Sequence, residues 1–158
     1  MAELRPGDDA PDFTLPANGG STVQLSALRG RPVVLFFYPK DDTSGCTIEN
    51  IDFTALKGEF EKAGAILIGM SPDSVKSHDK FVQKHALGVT LASDEEKTTL
   101  EAYGAWKEKS MYGRKYMGVE RTTFLINAEG KIAEVWSKVK VAGHADAVLA
   151  AVRNLQKQ

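Results

Sequence analysis

Hydrophobic and polar positions along this chain alternate between strand-like and helix-like patterns. Val33 to Tyr38 is a continuous apolar run ended by Pro39, which is typical of a central strand buried on both faces. After Cys46, apolar residues recur at helical spacing until Gly64, which predicts one amphipathic helix. The inner face of that helix is expected to hold Ile48, Ile51, Ala55, Leu56 and Phe60. The next strand is predicted over Ala65 to Met70.

The second half of the chain repeats the alternation. The cap region Ser71-Pro72-Asp73-Ser74 opens a helix, and short segments follow around Leu91 and from Lys97 to Tyr103. Strands at Thr122 to Ile126 and Ile132 to Trp136 flank a turn and predict an antiparallel hairpin. The inner face of the helix after the cap region is expected to consist of Val75, His78, Phe81, Val82 and His85. A final amphipathic helix is predicted near the end of the chain, with the apolar residues Ala147, Val148, Ala151, Val152 and Leu155.

The order of these elements predicts an α/β protein with a mixed central sheet covered by helices on both faces. Near the amino terminus, Asn18-Gly19-Gly20 is a strong turn, and Thr22 to Leu25 alternates like a strand, so an early hairpin is expected. With 158 residues and 42% hydrophobic content, the chain is expected to form one domain over residues 1–158. Such a chain buries a substantial core without disulfides or a structural metal.

Charge and cysteine content restrict the function classes. A formal net charge of −1 gives no reason to expect nucleic acid or an anionic membrane as a partner. The start of the chain has no apolar stretch of signal-peptide length, and a single cysteine argues against an oxidising compartment, so a cytoplasmic protein is expected. His78, His85 and His144 lack the spacing of a metal-ligand set, and no metal site is expected.

Cys46, between the predicted strand and helix, is a candidate nucleophile. A free thiol with a pKa of about 8.5 is only a few per cent ionised near neutral pH. The helix start offers unpaired N–H groups and the positive end of the macrodipole, worth up to roughly 2 kcal/mol. This leaves room for a second cation. Thr43 is expected to turn its hydroxyl toward the thiolate, and Pro39 to stiffen the loop and shield the sulfur. The alternative is that a lone cysteine is simply a small buried hydrophobe.

The residues around Cys46 resemble a known family. Pro39, Thr43 and Cys46 match the PxxxTxxC signature of peroxiredoxins, and FFYPKDDTSGCTIEN closely resembles the bacterioferritin comigratory protein or peroxiredoxin Q branch. Further matches are GDDAPDFTLP (7–16), MSPDSVKSHDKF (70–81), YGAWKEKSMYGRKYMGVERTTFLI (103–126) and GKIAEVWSKVKVAGHA (130–145). The resemblance implies a thioredoxin-like fold with an N-terminal hairpin extension. It also implies that Arg121 is the second cation beside Cys46.

The implied chemistry is a displacement on peroxide that needs no cofactor. The Cys46 thiolate attacks one oxygen of hydrogen peroxide or an organic hydroperoxide and becomes sulfenic acid, while the other oxygen leaves as water or an alcohol. Arg121, the Thr43 hydroxyl and the Cys46 backbone N–H are expected to stabilise the moving charge. Such an enzyme serves antioxidant defence and redox homeostasis.

The chain departs from the family pattern at two positions. Ser44 stands where this branch often has proline, which leaves Pro39, Thr43 and Cys46 intact. Many members carry a resolving cysteine where this chain has Ile51, which is expected to be a core residue. The expected cycle therefore uses one cysteine, with the sulfenic acid resolved by thioredoxin, glutaredoxin or glutathione, in a monomer or weak homodimer.

Other interpretations stay open. The segment from Trp106 to Met117 mixes basic and aromatic residues, and a loop over the active-site mouth or a reductant-docking face is favoured over a nucleic-acid patch. Glu49 either orients an arginine or is a plain first-turn carboxylate. Alternatives to a peroxidase are a non-enzymatic redox sensor or chaperone, and a disulfide reductase. Thr43, standing where a CxxC motif has its first cysteine, argues against the reductase.

Overall fold

A computed structural model describes residues 3–156 of the chain. The ends of the expected 1–158 domain, residues 1–2 and 157–158, lie outside this range. The strands in it are β1 (Thr14–Pro16), β2 (Thr22–Gln24), β3 (Val33–Phe37), β4 (Ile66–Ser71), β5 (Thr90–Ser93), β6 (Trp106–Met111), β7 (Arg114–Val119), β8 (Thr122–Ile126) and β9 (Ile132–Trp136). The α-helices are α1 (Ser44–Ala55), α2 (Lys57–Lys62), α3 (Val75–His85), α4 (Thr98–Ala102) and α5 (His144–Gln156).

A mixed sheet of order β5-β4-β3-β8-β9 forms the centre of the described range. β3, β4 and β5 are parallel, whereas β8 is antiparallel to both β3 and β9. The predicted strand at Val33 is the middle strand of this sheet. The mixed sheet expected from the element order is therefore confirmed.

The side chains of β3 supply both hydrophobic cores because successive residues of a strand point to opposite faces. Val34 and Phe36 pack into one core with Phe53 of α1, and Phe60, Phe81 and Val148 bring in α2, α3 and α5. On the other face, Leu35 and Phe37 pack with Leu100 of α4 and with Phe13 and Val23 of the N-terminal region. Burying one such side chain contributes about 1.5–3 kcal/mol. Burial on both faces explains why the strand is apolar throughout.

Both predicted hairpins are present. In the first, β1 pairs antiparallel with β2, with Leu15 opposite Val23. In the second, β8 pairs with β9, and the turn between them is closed by the Asn127 backbone N–H donating to the carbonyl oxygen of Lys131 at 2.8 Å. No helix within residues 3–156 is both long enough and apolar enough to cross a membrane.

The helix after Cys46 differs from the prediction in two ways. The predicted single helix is broken at Leu56 into α1 and α2. Ile48 and Ile51 are 53% and 42% exposed, so the expectation that Ile51 is a core residue is wrong. The buried residues of α1 are Cys46, Glu49, Asn50 and Phe53, spaced as one helical face. Two polar residues face inward because each has a bonding partner there: Asn50 Nδ2 donates to the Cys46 carbonyl oxygen at 2.9 Å, and Glu49 accepts from Arg121.

Two other segments also differ from the prediction. The segment from Trp106 to Met117 is not a loop but belongs to an antiparallel hairpin, in which Trp106 pairs with Val119. Tyr112 and Gly113 form its two-residue turn with positive φ values of 53° and 76°, the geometry that hairpins prefer. In α5, Ala147 is exposed, and the buried residues include Ala145, Val148, Leu149 and Val152.

Candidate active site

Cys46 lies in the first turn of α1, directly after the loop that leaves β3. Its side chain is buried, with 1% of the residue exposed. The first backbone bond of the helix runs from the Thr47 N–H to the Thr43 carbonyl oxygen at 2.8 Å. The N–H groups of Ser44, Gly45 and Cys46 precede that bond and have no acceptor within the helix. The sulfur is therefore held at the positive end of the helix, next to free donors.

Sheet pairing explains how Arg121 reaches Cys46 across 75 positions of sequence. Phe37, the last residue of β3, pairs with Thr122, the first residue of β8. Arg121 precedes Thr122 and so reaches the same end of the sheet as the loop that carries Cys46. One guanidinium nitrogen, Nη2, donates to Cys46 Sγ at 3.3 Å. The cation that the resemblance implied is in contact with the sulfur.

Gly45 makes this approach possible. A Cβ atom at position 45 would lie 3.2 Å from Arg121 Nη2, closer than side chains normally pack. Glycine before the cysteine therefore leaves room for the guanidinium against the start of α1. The sequence contained this glycine, but only the structure shows what it accommodates.

The Thr43 hydroxyl donates to the carbonyl oxygen of Lys40 at 2.8 Å. Its proton is therefore directed away from the sulfur, whereas the sequence analysis expected the hydroxyl to face the thiolate. Thr43 also makes no side-chain capping bond to α1 within the described residues, although threonine at this position often does. The Thr43 oxygen therefore keeps acceptor capacity, and Thr43 does not cap the first-turn N–H groups. Pro39 is half-buried in the same loop.

Glu49 lies one turn below Cys46, with 1% of the residue exposed. Arg121 Nη1 donates to Glu49 Oε1 at 2.7 Å, so the open question about Glu49 is decided in favour of contact with an arginine. Burial raises the pKa of Glu49 to about 7, although the charge of Arg121 acts in the opposite direction. Burial disfavours the charge of Arg121, but Glu49 and Cys46 outweigh it and raise the Arg121 pKa. One guanidinium therefore bridges two acidic groups.

A buried hydrogen-bond network holds the loop between β3 and α1 in place. Asp41 Oδ1 accepts from the Tyr38 hydroxyl at 2.6 Å, and Asp41 Oδ2 accepts from Ser77 at 2.8 Å and lies 2.8 Å from His78 Nδ1. His78 Nε2 lies 3.0 Å from the Ala92 carbonyl oxygen. The Asp41 N–H donates to Asp73 Oδ2 at 2.7 Å. The network ties the loop before Thr43 to α3.

This network was not predicted from the sequence. His78 was expected to face inward, and it is fully buried, but nothing linked it to Asp41. The ligand atoms of Asp41, Asp73 and His78 lie within 4.8 Å of one another, as a metal site requires. The same atoms are engaged in the hydrogen bonds just described, which accounts for their proximity. A signal was present in principle, because an inward-facing histidine needs a buried polar partner.

His144, the first residue of α5, is a second buried histidine near the site. Its Nε2 lies 2.8 Å from the hydroxyl of Thr123, two residues beyond Arg121. The ring packs edge-on against Phe53 and Trp136. Burial, assisted by the charge of Arg121, lowers the pKa of His144 to about 4. His144 is therefore neutral at physiological pH and packs between Phe53 of α1 and Trp136 of β9.

The chain is similar to known proteins over nearly its whole length. The AhpC/TSA family model matches residues 6–135. Peroxiredoxin Bcp of Xanthomonas campestris is 50% identical over 147 residues, covering 93% of this chain and 92% of the relative. Peroxiredoxin Bcp of Bacillus subtilis is 43% identical over 152 residues, covering 96% and 97% of the two chains.

Solved structures agree with these matches. A cysteine-to-serine variant of Xylella fastidiosa PrxQ has a TM-score of 0.93 at 37% identity, covering 99% of both chains. The Xanthomonas campestris bacterioferritin comigratory protein, studied for its alkyl peroxide reduction activity, has a TM-score of 0.90 at 47% identity, covering 95% of this chain and 98% of that one. The fold and site therefore define a thiol peroxidase with a thioredoxin-like fold. The chain belongs to the AhpC/TSA family and is a peroxiredoxin.

Proposed function

We propose that this peroxiredoxin reduces hydrogen peroxide and organic hydroperoxides in a one-cysteine cycle, with Cys46 as the reacting group and an external thiol as the reductant. The observation that carries the proposal is the 3.3 Å contact between Arg121 Nη2 and Cys46 Sγ at the start of α1. A guanidinium stays protonated and offers several donors in a rigid fork. It can therefore stabilise the thiolate and a peroxide oxygen from one position.

The first half-reaction is an in-line displacement. The thiolate sulfur bonds to one peroxide oxygen, the O–O bond breaks, and the other oxygen leaves with its electron pair and takes up a proton. The Thr43 proton is engaged on Lys40, so the Thr43 oxygen is suited to accept the hydrogen bond of the peroxide O–H. Arg121 and the free first-turn N–H groups stabilise the charge that develops on oxygen. Pro39, half-buried in the same loop as Thr43, is proposed to limit the access of water to the sulfur.

The second half-reaction returns Cys46 to the thiol. Cys46 is the only cysteine of the chain, so it has no intrachain cysteine partner. An external thiol attacks the sulfenic sulfur and releases water, and a second thiol then releases Cys46 from the mixed disulfide. Thioredoxin, glutaredoxin and glutathione are the candidate reductants. Such a cycle requires a reducing compartment, so a cytoplasmic location and a role in antioxidant defence are part of the proposal.

The test is a peroxide-consumption assay with the three reductant systems in parallel. We expect many turnovers per Cys46 with at least one of them, for both hydrogen peroxide and an alkyl hydroperoxide. Cys46→Ser should give no turnover while retaining its fold by circular dichroism, because a serine hydroxyl is not ionised at neutral pH. A single turnover with every reductant would instead support the non-enzymatic sensor. Turnover by Cys46→Ser would contradict the assignment of Cys46.

A further inference from the structure

Two acidic groups share one cation in the active site. Arg121 donates through Nη1 to Glu49 at 2.7 Å and through Nη2 to Cys46 at 3.3 Å. Within residues 3–156, the ion pairs give Glu49 this one basic partner. If Glu49 and Cys46 are both ionised, the buried site carries an uncompensated negative charge. A buried charge without compensation is costly, so ionisation of one group disfavours ionisation of the other.

Glu49 is the group that is better placed to hold a proton. Its second oxygen, Oε2, is buried and has no hydrogen-bond partner among the described residues. A buried carboxylate needs a hydrogen-bond donor for each of its two oxygens. A protonated carboxyl group lacks the charge that makes burial costly. The charged groups that act on Glu49 are Asp52 on its own helix and Arg121, the residue before β8. Arg121 is also in contact with Cys46, and its charge acts on His144 of α5. Burial raises the Glu49 pKa to about 7, in agreement with this geometry.

We propose that Glu49 stores the proton that peroxide reduction consumes, being protonated while Cys46 is a thiolate and ionised once Cys46 is a sulfenic acid. The inference rests on the proposed function. In the reaction, the thiolate, one hydroperoxide and the Glu49 proton give a neutral sulfenic acid, one water or alcohol, and the Glu49 carboxylate. The negative charge moves from sulfur to Glu49, and Arg121 compensates it in both states. Glu49 contacts Arg121 rather than the reacting atoms, so it is a positioning residue: its change of protonation keeps the charge around Arg121 constant while the leaving oxygen takes up the released proton.

The first test measures the coupling without any peroxide. The carboxyl carbon of Glu49 is titrated by carbon-13 NMR in the reduced wild-type protein and in Cys46→Ser. An anion within about 4–6 Å shifts a titration by about 1–3 pH units, so the Glu49 midpoint should fall by at least about one unit when the thiolate is removed. An unchanged midpoint would overturn the inference. Because no oxidation is involved, this result does not depend on peroxidase activity.

The second test counts protons during oxidation. Reduced protein is mixed with one equivalent of hydrogen peroxide in weakly buffered indicator solution near pH 6.5, after ultraviolet absorbance has confirmed the thiolate. The sulfenic acid formed is counted by mass spectrometry of its dimedone adduct. Wild-type protein should take up close to zero protons per sulfenic acid, because Glu49 supplies the proton. Glu49→Gln, which lacks the stored proton, should take up close to one.

A matched control is Glu61→Gln, which makes the same change at an exposed carboxylate of α2, paired with Lys57, and should keep the wild-type stoichiometry. Equal proton uptake by wild type and Glu49→Gln would overturn the inference while leaving the peroxidase intact. Absence of sulfenic acid in the wild type would overturn the proposed function and this inference with it. If Glu49→Gln fails to fold, the titration of Cys46→Ser decides the question.

Discussion

Two buried carboxylates near Cys46, Asp41 in the loop and Glu49 in the helix, are held in opposite ways. Each Asp41 oxygen accepts at least one hydrogen bond, from Tyr38 and Ser77, and His78 adds a further partner. Glu49 is more deeply buried, yet within residues 3–156 only one of its oxygens has a hydrogen-bond partner. Both oxygens of Asp41 are hydrogen-bonded, whereas Oε2 of Glu49 has no partner among the described residues.

This difference indicates a structural role for Asp41 and a role in the reaction for Glu49. A fully satisfied buried network rigidifies its surroundings. The Asp41 network therefore fixes the loop that carries Pro39 and Thr43. A buried carboxyl with one empty acceptor changes protonation easily, and its single cation is shared with the reacting sulfur. The carboxyl group that lacks a hydrogen-bond partner on one oxygen, Glu49, is therefore the one that shares Arg121 with the reacting sulfur.

The largest expected effect comes from removing the charge of Asp41. Asparagine at position 41 accepts through one oxygen only and so leaves a buried donor unpaired, and Asp41→Asn should lower the free energy of unfolding by about 1–3 kcal/mol for each such donor. Denaturant unfolding measures it. Asp42→Asn is the matched control, because Asp42 is the next residue and pairs with Lys84 and His85 at the surface, where a pair contributes about 0–1 kcal/mol. Equal losses in the two variants would contradict a structural role for the Asp41 network.

Arg121→Ala should act on reactivity more than on stability. Loss of a preorganised donor slows a reaction by about 100- to 1,000-fold, and we expect a loss in that range for the reaction of Cys46 with peroxide. Stopped-flow fluorescence measures the rate, and ultraviolet absorbance at constant pH should show a smaller thiolate fraction. Arg121→Lys keeps the charge but loses the two guanidinium nitrogens that reach both Glu49 and Cys46. Its reaction rate should therefore lie between those of the wild type and Arg121→Ala. A thiolate fraction equal to that of the wild type in Arg121→Ala would place the guanidinium away from the sulfur.

The effect of Glu49→Gln on stability should depend on pH. Folding raises the Glu49 pKa from its ordinary value of 4.5 to about 7, so its stabilising contribution is complete below about pH 4.5 and is lost as the pH rises through 7. The loss amounts to at most about 3 kcal/mol. Unfolding free energies of the two reduced proteins should agree near pH 4.5 and diverge in favour of Glu49→Gln by pH 8.

His144 does not obscure this comparison. Its pKa is lowered to about 4, so its stabilising contribution is lost in the opposite direction, as the pH falls from 6.5 through 4. Both proteins contain His144, and the difference between them cancels its effect. A difference that stays constant between pH 4.5 and pH 8 would show that Glu49 does not change protonation in this range.

Much of the fold could be predicted from local sequence pattern. β3 is apolar on both faces and lies in the middle of the sheet, and the turn at Asn127 marks the β8–β9 hairpin. The face of α1 was predicted wrongly, because apolar spacing pointed to Ile48 and Ile51 while polar Glu49 faces inward. A pattern of hydrophobicity cannot identify a polar residue that is buried through a partner distant in sequence. The β6–β7 hairpin was missed because its two-residue turn has Tyr112 at a positive φ, where Asn, Asp or Gly is the usual sequence signal.

The candidate site was less predictable than the fold. Cys46 was identified from its place between a strand and a helix, but Arg121 came only from the resemblance to peroxiredoxins. The pairing of Phe37 with Thr122 brings Arg121 to the loop, and strand register over such a separation is not encoded in local pattern. The Asp41–His78 network depends in the same way on how α3 packs against the loop.

The most direct test of the account is to oxidise the protein once and identify the product. Reduced wild-type protein is treated with one equivalent of hydrogen peroxide, without reductant and with dimedone present, and analysed by intact mass spectrometry and a non-reducing gel. Because Cys46 is the only cysteine and its sulfur is buried, the account predicts a monomer carrying a single dimedone adduct, with covalent dimer as a minor product. Excess peroxide without dimedone should give sulfinic and sulfonic acids instead. A predominant disulfide-linked dimer with little adduct would contradict the external-thiol cycle and indicate resolution between two copies of the chain.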